Sequence, residues 1–229
     1  MAYCPTPRTG LTVWNRYFAA LAHIPYWPQW LTKMWLLVRK IYNMPNCLSR
    51  DEMLQIVNAD ESLTFTFVRH PFVRLVAVYN DRVVSSNFNG WQQDIQKMNG
   101  KGADDEVTFP EFVDFVLKNI AGDSEHLDTY YHHCDMCRIK YDLIGKFESF
   151  AEDTRYILIK TGAHEKIDLQ DKSLTWYENR PISSTTIEYA LPYFRQLTKE
   201  NILSLFLRYE MDFKMFGYSA KEFYNEGIS

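Results

Sequence analysis

The chain has 229 residues, of which 46% are hydrophobic and 24% charged, with only 9 Gly and 9 Pro; that balance excludes intrinsic disorder and collagen-like repetition. Lys and Arg number 25 against 29 Asp and Glu, a net charge of -4. Such a balance argues against a protein that wraps nucleic acid in a global positive field, but it permits a local basic pocket for a small anion.

Ala2 to Pro7 opens the chain as a strand, Arg8-Thr9-Gly10-Leu11-Thr12 is a phosphate-sized loop, and Val13, Trp14, Tyr17, Phe18 and Leu21 fall at helical spacing. The apolar run Trp30 to Val38 is too short to span a bilayer and carries Lys33, and the first ten residues lack the apolar core of a signal peptide. Taken literally, the sequence is that of a soluble protein starting in the cytosol. Asp51 to Val57 suits a helix. Leu63 to Val68 alternates and is rich in β-branched and aromatic residues, so it predicts a strand. Pro71 then suits the first turn of a helix reaching about Arg82.

Ser85 to Asp105 is polar and glycine-bearing and predicts a long surface loop. Thr108 and Glu111 have the spacing of a capping box ahead of Phe112, Phe115 and Val116. Tyr141 to Gly145 predicts a third strand, Phe150 to Thr161 a helix, and Lys166 to Ser184 a loop. Thr198 caps a last helix whose apolar face is Ile202, Leu205, Phe206, Tyr209 and Phe213. Strands alternating with helices predict one α/β domain over residues 1–229, three layers (α/β/α) deep around a mostly parallel sheet. The single Cys134-x-x-Cys137 is a weak metal signal, and no metal is expected.

Two segments carry the chemistry. A glycine in a strand-to-helix loop lets backbone amides approach an anion, and the helix that follows offers unpaired N–H groups at its positive end. Arg8 adds a fixed charge to that loop and Thr12 a hydroxyl. The loop lacks Walker-A spacing, which counts against a nucleoside triphosphatase or phosphotransferase. In the second segment, Arg69 ends a strand, where ligands of open α/β sheets bind, and Arg74 lies on the next helix.

Together the segments resemble the carbohydrate sulfotransferase family that includes the chondroitin and dermatan 4-O-sulfotransferases. Cys4, Pro7, Arg8, Gly10, Thr12 and Trp14 match its C-x-x-P-K-x-G-x-T-x-W loop, and Val68, Arg69, Pro71, Phe72, Arg74, Leu75 and Tyr79 match its second motif. Cys134 to Cys137 with Tyr141 to Glu148, and Tyr209 to Phe213 with Phe216 to Tyr218, match two more in the same order.

The resemblance implies sulfuryl transfer from 3′-phosphoadenosine 5′-phosphosulfate to a glycan hydroxyl, position 4 of N-acetylgalactosamine in chondroitin foremost. Arg8 and the amides from Thr9 through Gly10, Leu11 and Thr12 to Val13 would hold the 5′-phosphosulfate, with Arg69 on the 3′-phosphate and Arg74 beside it. Arg8 would also steady charge on the leaving phosphate. The general base is His126 first and His70 second, with His132 and His133 as exposed loop residues, and Trp14 is a packing residue. The partner implied is a glycosaminoglycan or other glycan, not nucleic acid.

Family members are type II Golgi membrane proteins facing the lumen, whereas here the first motif starts at Cys4, leaving no room for an anchor or stem. Lumenal oxidation would suit a Cys134–Cys137 or a Cys4–Cys47 bridge. Two features depart from the family pattern: Arg8 replaces a lysine, and Val76 and Ala77 stand where a serine is expected. Those departures leave open a weak or inactive homologue that binds sulfated glycans or a partner.

Overall fold

The computed structural model describes residues 1–21, 55, 63–85, 90–120, 122, 124–167 and 186–228. Trp30 to Val38, Cys47, Asp51 to Val57 apart from Gln55, and nearly all of the Lys166 to Ser184 loop lie outside them. The chain forms two compact units: Met1–Pro5, Gly10–Phe67 and Met136–Arg180 in one, and Thr6–Thr9, Val68–Asp135 and Pro181–Ser229 in the other. Among the described residues no helix is long and apolar enough to cross a membrane.

The first unit carries the sheet, in the order β1 (Ala2–Cys4), β2 (Thr64–Val68), β3 (Leu143–Lys146). β1 pairs parallel to β2 with Ala2 opposite Thr64 and Cys4 opposite Thr66. Every residue of β2 is buried, as expected of a strand with a neighbour on each side. Its threonine hydroxyls donate to carbonyls of the flanking segments, Thr66 to Cys4 at 3.1 Å and Thr64 to Lys140 at 2.8 Å. Helix α1 (Leu11–Leu21) lays Val13, Trp14 and Tyr17 on this sheet. The fully buried Trp14 ring lies 4.4 Å from Phe65 and 5.8 Å from Phe67, so its role is packing. Phe67 also meets Phe150 of a helix at Phe150–Lys160, and a β-carbon on Gly145 would overlap the Phe67 ring.

The second unit is helical. Its centre is Pro71–Tyr79, capped by His70, whose Nδ1 accepts the Phe72 amide at 3.2 Å, and buried along nearly its whole length. The Phe72 ring packs on Phe194, Phe213 and Phe223, drawn from three different helices. The sequence-predicted helix to Arg82 changes character at Asn80, where a π-turn runs Asn80–Val84. The capping box forms as expected: the Thr108 amide reaches Glu111 at 2.7 Å and the Glu111 amide returns to the Thr108 hydroxyl, opening the helix Phe109–Leu117.

Two further elements and one cysteine pairing differ from expectation. Gly90–Met98, placed in a long loop, is a helix. Trp91, Ile95 and Met98 sit at i, i+4 and i+7 and pack on the core, while the Gln96 amide donates to the carbonyls of Ala103 and Asp105 and folds the following loop back. The long C-terminal helix is two, Lys199–Arg208 and Glu210–Phe216, broken at Tyr209, whose hydroxyl is bound to the Leu127 carbonyl at 2.9 Å. Cys134 is disulfide-bonded and buried whereas Cys137 is exposed and forms no disulfide, so these two cysteines do not bridge; Cys4 is disulfide-bonded as well. The α/β class and the mixed order of elements stand as expected.

Two outcomes follow for the sheet unit. Gly145→Ala forces the Phe67 ring to move and should lower stability by about 1–3 kcal/mol in urea unfolding. Asp142 accepts the Thr64 amide at 2.8 Å and the Thr64 hydroxyl at 2.9 Å, which hold its carboxyl below the ordinary 3.8. Its contribution is therefore present above that ordinary value and lost as pH falls through the lowered folded one. Asp142→Asn should lower the unfolding midpoint at neutral pH, and the difference from wild type should close in strong acid.

Candidate active site

Between β1 and α1 the chain turns through Pro7–Gly10 with two residues in the left-handed region, Arg8 at φ 69° and Gly10 at φ 91°. Glycine is required at the second: a β-carbon there would overlap the Phe150 ring. An arginine in this region is held against a penalty of about 1–2 kcal/mol, and the buried Thr6–Thr9 pair is what holds it, the Thr9 hydroxyl donating to the Thr6 carbonyl at 2.9 Å. The Val13 and Trp14 amides both reach the Gly10 carbonyl, at 2.9 and 3.1 Å. The amides of Leu11 and Thr12 thus begin the helix ahead of its first internal acceptor.

The Arg8 guanidinium, about one-third exposed, pairs with the Asp81 carboxylate of the π-turn, and Asp81 Oδ2 also lies 3.5 Å from Arg82 Nε. Burial, then the charges of Arg82 and Arg69, pull the Arg8 pKa down to about 10. Arg82 contacts Nε2 of His126, and Glu125 lies 3.9 Å from the same nitrogen. Burial and the charges of Arg82, Arg8, Arg74 and His133 push the His126 pKa down to about 3. These side chains form a cationic cluster in which Asp81 answers two guanidiniums at once.

A buried polar network supports the cluster. The Arg69 amide donates to the Tyr130 hydroxyl at 3.0 Å, and that hydroxyl donates back to the Arg69 carbonyl at 3.3 Å. Arg74 lies 4.5 Å over the Tyr130 ring and donates to the carbonyls of His126 and Asp128. Asp212, fully buried, accepts the Tyr130 and Tyr131 amides, both at 3.0 Å. Burial raises its carboxyl pKa, although the two amides and Arg74 favour the charged form.

Of the residues singled out from sequence, Arg8, Arg69 and His126 fall in one electrostatic neighbourhood, while Arg74 faces backbone carbonyls and the Tyr130 ring. His70 uses both ring nitrogens structurally, Nδ1 on the Phe72 amide and Nε2 at 3.0 Å from the Ser219 carbonyl. His132 is exposed on the 128–133 turn and paired with Asp128 at 2.8 Å. Sequence reasoning missed Asp81 and Arg82, because charged residues at a helix end ordinarily face water; a π-turn that redirects them leaves no mark in the residue pattern.

The chain matches the model of the sulfotransferase family over residues 1–219. It is 27% identical to carbohydrate sulfotransferase 11 of Rattus norvegicus, over 97% of this chain and 66% of that protein. Carbohydrate sulfotransferase 10 of Homo sapiens is 27% identical over 96% of this chain and 65% of its own length, and carbohydrate sulfotransferase 14 of Danio rerio 28% over 67% and 43%. The chain thus spans about two thirds of the length of the first of these relatives. No solved structure matches it. A match to the family model that runs through the Arg8 loop, the Arg69 strand end and the Tyr209 to Tyr218 segment establishes that the chain belongs to the sulfotransferase family.

Proposed function

We propose that the chain transfers a sulfuryl group from 3′-phosphoadenosine 5′-phosphosulfate to a glycan hydroxyl, position 4 of N-acetylgalactosamine in chondroitin being the favoured acceptor. The observation that carries this reading is the gathering of Arg8, Arg69 and Arg82: Asp81 pairs with Arg8 and lies 3.5 Å from Arg82, and burial, then the charges of Arg82 and Arg69, lower the Arg8 pKa. Like charges so placed gain most from a polyanion, and a nucleotide bearing both a phosphosulfate and a 3′-phosphate is one. Similarity to proteins named carbohydrate sulfotransferases supports a sugar acceptor. The chondroitin assignment rests on the four sequence motifs, as does a Golgi-lumenal location behind a membrane anchor.

In this reading Arg8 and the amides from Thr9 to Val13 hold the 5′-phosphosulfate and Arg69 the 3′-phosphate. When bound, the donor supplies a sulfuryl group whose bond to the phosphate oxygen breaks as a bond to the sugar oxygen forms. Arg8 then stabilises the negative charge that gathers on the phosphate, while the hydroxyl proton leaves to a base. Arg74 acts at one remove, holding the 126–130 backbone in place.

The direct test incubates the protein with radiolabelled donor and a panel of desulfated glycosaminoglycans and maps the product. Label at position 4 of N-acetylgalactosamine is the expected result. Binding of the product nucleotide without transfer would favour a non-catalytic glycan or partner binder, and no binding would overturn the reading. Arg8→Ala and Arg69→Ala should each weaken adenosine 3′,5′-bisphosphate binding by about 10- to 100-fold in titration calorimetry, the loss expected for charge-assisted hydrogen bonds.

A further inference from the structure

Resting on that reading of the site, we propose that Arg82 is a third anion-binding arginine of the cluster and that His126 is its positioning residue, not the proton acceptor. A guanidinium carries donors only, so the nitrogen it touches must accept. Arg82 touches Nε2 of His126, which assigns the ring proton of the neutral imidazole to Nδ1. Nδ1 is buried and has no hydrogen-bond partner among the described residues. With Nε2 accepting and Nδ1 protonated, the ring has no lone pair left for a sugar hydroxyl's proton.

The surroundings keep the ring in that state. Arg82, Arg8, Arg74 and His133 bear on it from the cationic side, Glu125 lies 3.9 Å from Nε2, and Trp91 meets it edge-on at 6.2 Å. A second proton would place a cation among three arginines. Arg82 is held from its other side too, because Asp81 Oδ2, 3.5 Å from its Nε, also binds Arg8. Arg8 and Arg82 are therefore two donors spaced by one carboxylate, and an anion reaching Arg8 meets Arg82 as well. The other histidine read as a base is also committed, since His70 has both nitrogens engaged with backbone groups.

The test has a spectroscopic arm and a binding arm, both on the full chain. Long-range proton–nitrogen spectra of isotope-labelled protein read the His126 tautomer from roughly pH 4 to 8, with His126→Gln as the assignment control. The expected state is neutral and Nδ1-protonated throughout, and Arg82→Met should raise the titration midpoint by about two pH units. In calorimetry with adenosine 3′,5′-bisphosphate and, separately, pyrophosphate, Arg82→Met and His126→Ala should each weaken binding about tenfold or more. His126→Gln, whose amide oxygen can take the place of Nε2, should recover most of that loss.

Three results would overturn the assignment: an imidazole that titrates near 6.5 in the wild type, an Arg82→Met protein that binds both probes normally, or a His126→Gln protein as impaired as His126→Ala. Arg82-dependent binding of pyrophosphate without binding of the nucleotide would defeat the nucleotide reading and support this assignment. A wild type that binds neither probe defeats both.

Discussion

Asp81 is the charge on which the cationic cluster turns. Guanidiniums at close quarters repel one another, and burial strips away the water that would screen them, so each added cation makes the next harder to place. The downward shift of Arg8 is the signature of that strain, and Asp81 offsets it by answering Arg8 and Arg82 together. One carboxylate shared by two cations keeps both side chains ordered. A site neutralised one for one would hold its own arginines well and have little attraction left for an anionic ligand.

Holding that cluster requires a rigid frame, and the frame is polar. Arg74 on the Pro71–Tyr79 helix, Tyr209 at the break between the last two helices named above and Asp212 on the second of those converge on the 126–131 backbone, to which Tyr130 belongs. Each contact there satisfies a group that would otherwise be costly to bury: carbonyls of His126, Leu127 and Asp128 accept, and amides of Tyr130 and Tyr131 donate. Loss of any one member would leave a buried backbone amide or carbonyl unanswered. The motif residues Arg74, Tyr209 and Asp212 thus fix the segment that carries His126, which contacts Arg82.

Local rules in the sequence reached much of the fold. The strand Thr64–Val68, the Pro71 helix start, the Thr108 capping box and the Thr198 cap each follow from residues within one or two turns of one another. Where the outcome depends on distant partners, the pattern was silent or misleading. The helix Gly90–Met98 had its apolar stripe in plain sight at Trp91, Ile95 and Met98, yet glycines and polar neighbours masked it, and only docking on the core settles the matter. The break at Tyr209 depends on a hydroxyl reaching a carbonyl 82 positions earlier in the chain. At the candidate site, Arg8 and Arg69 stood out in the sequence because their residue types sit where anion-binding chemistry would put them. Asp81 and Arg82 were not, since a change from α to π winding is a property of how the helix packs.

Both halves of the Arg8–Asp81 pair sit on unusual backbone. Arg8 sits in a backbone region that L-residues avoid, and Asp81 in a π-turn whose Ser85 amide reaches back five residues to the Asn80 carbonyl at 3.0 Å. Neither conformation is favoured locally, so each persists because its surroundings impose it: Thr6 and Thr9 on one side, and on the other the hydrogen bonds that Asn80 makes to Tyr189 at 3.0 Å and Tyr193 at 3.2 Å. Two departures that bring a cation and a carboxylate face to face are poorly explained by that ion pair alone, because a partly exposed pair contributes only about 0–1 kcal/mol, less than a left-handed arginine gives up. What the geometry gains is a fixed direction for the Arg8 and Arg82 donors. A fixed direction is worth its energetic penalty when an anion whose oxygens must be met at set positions is the thing to be bound.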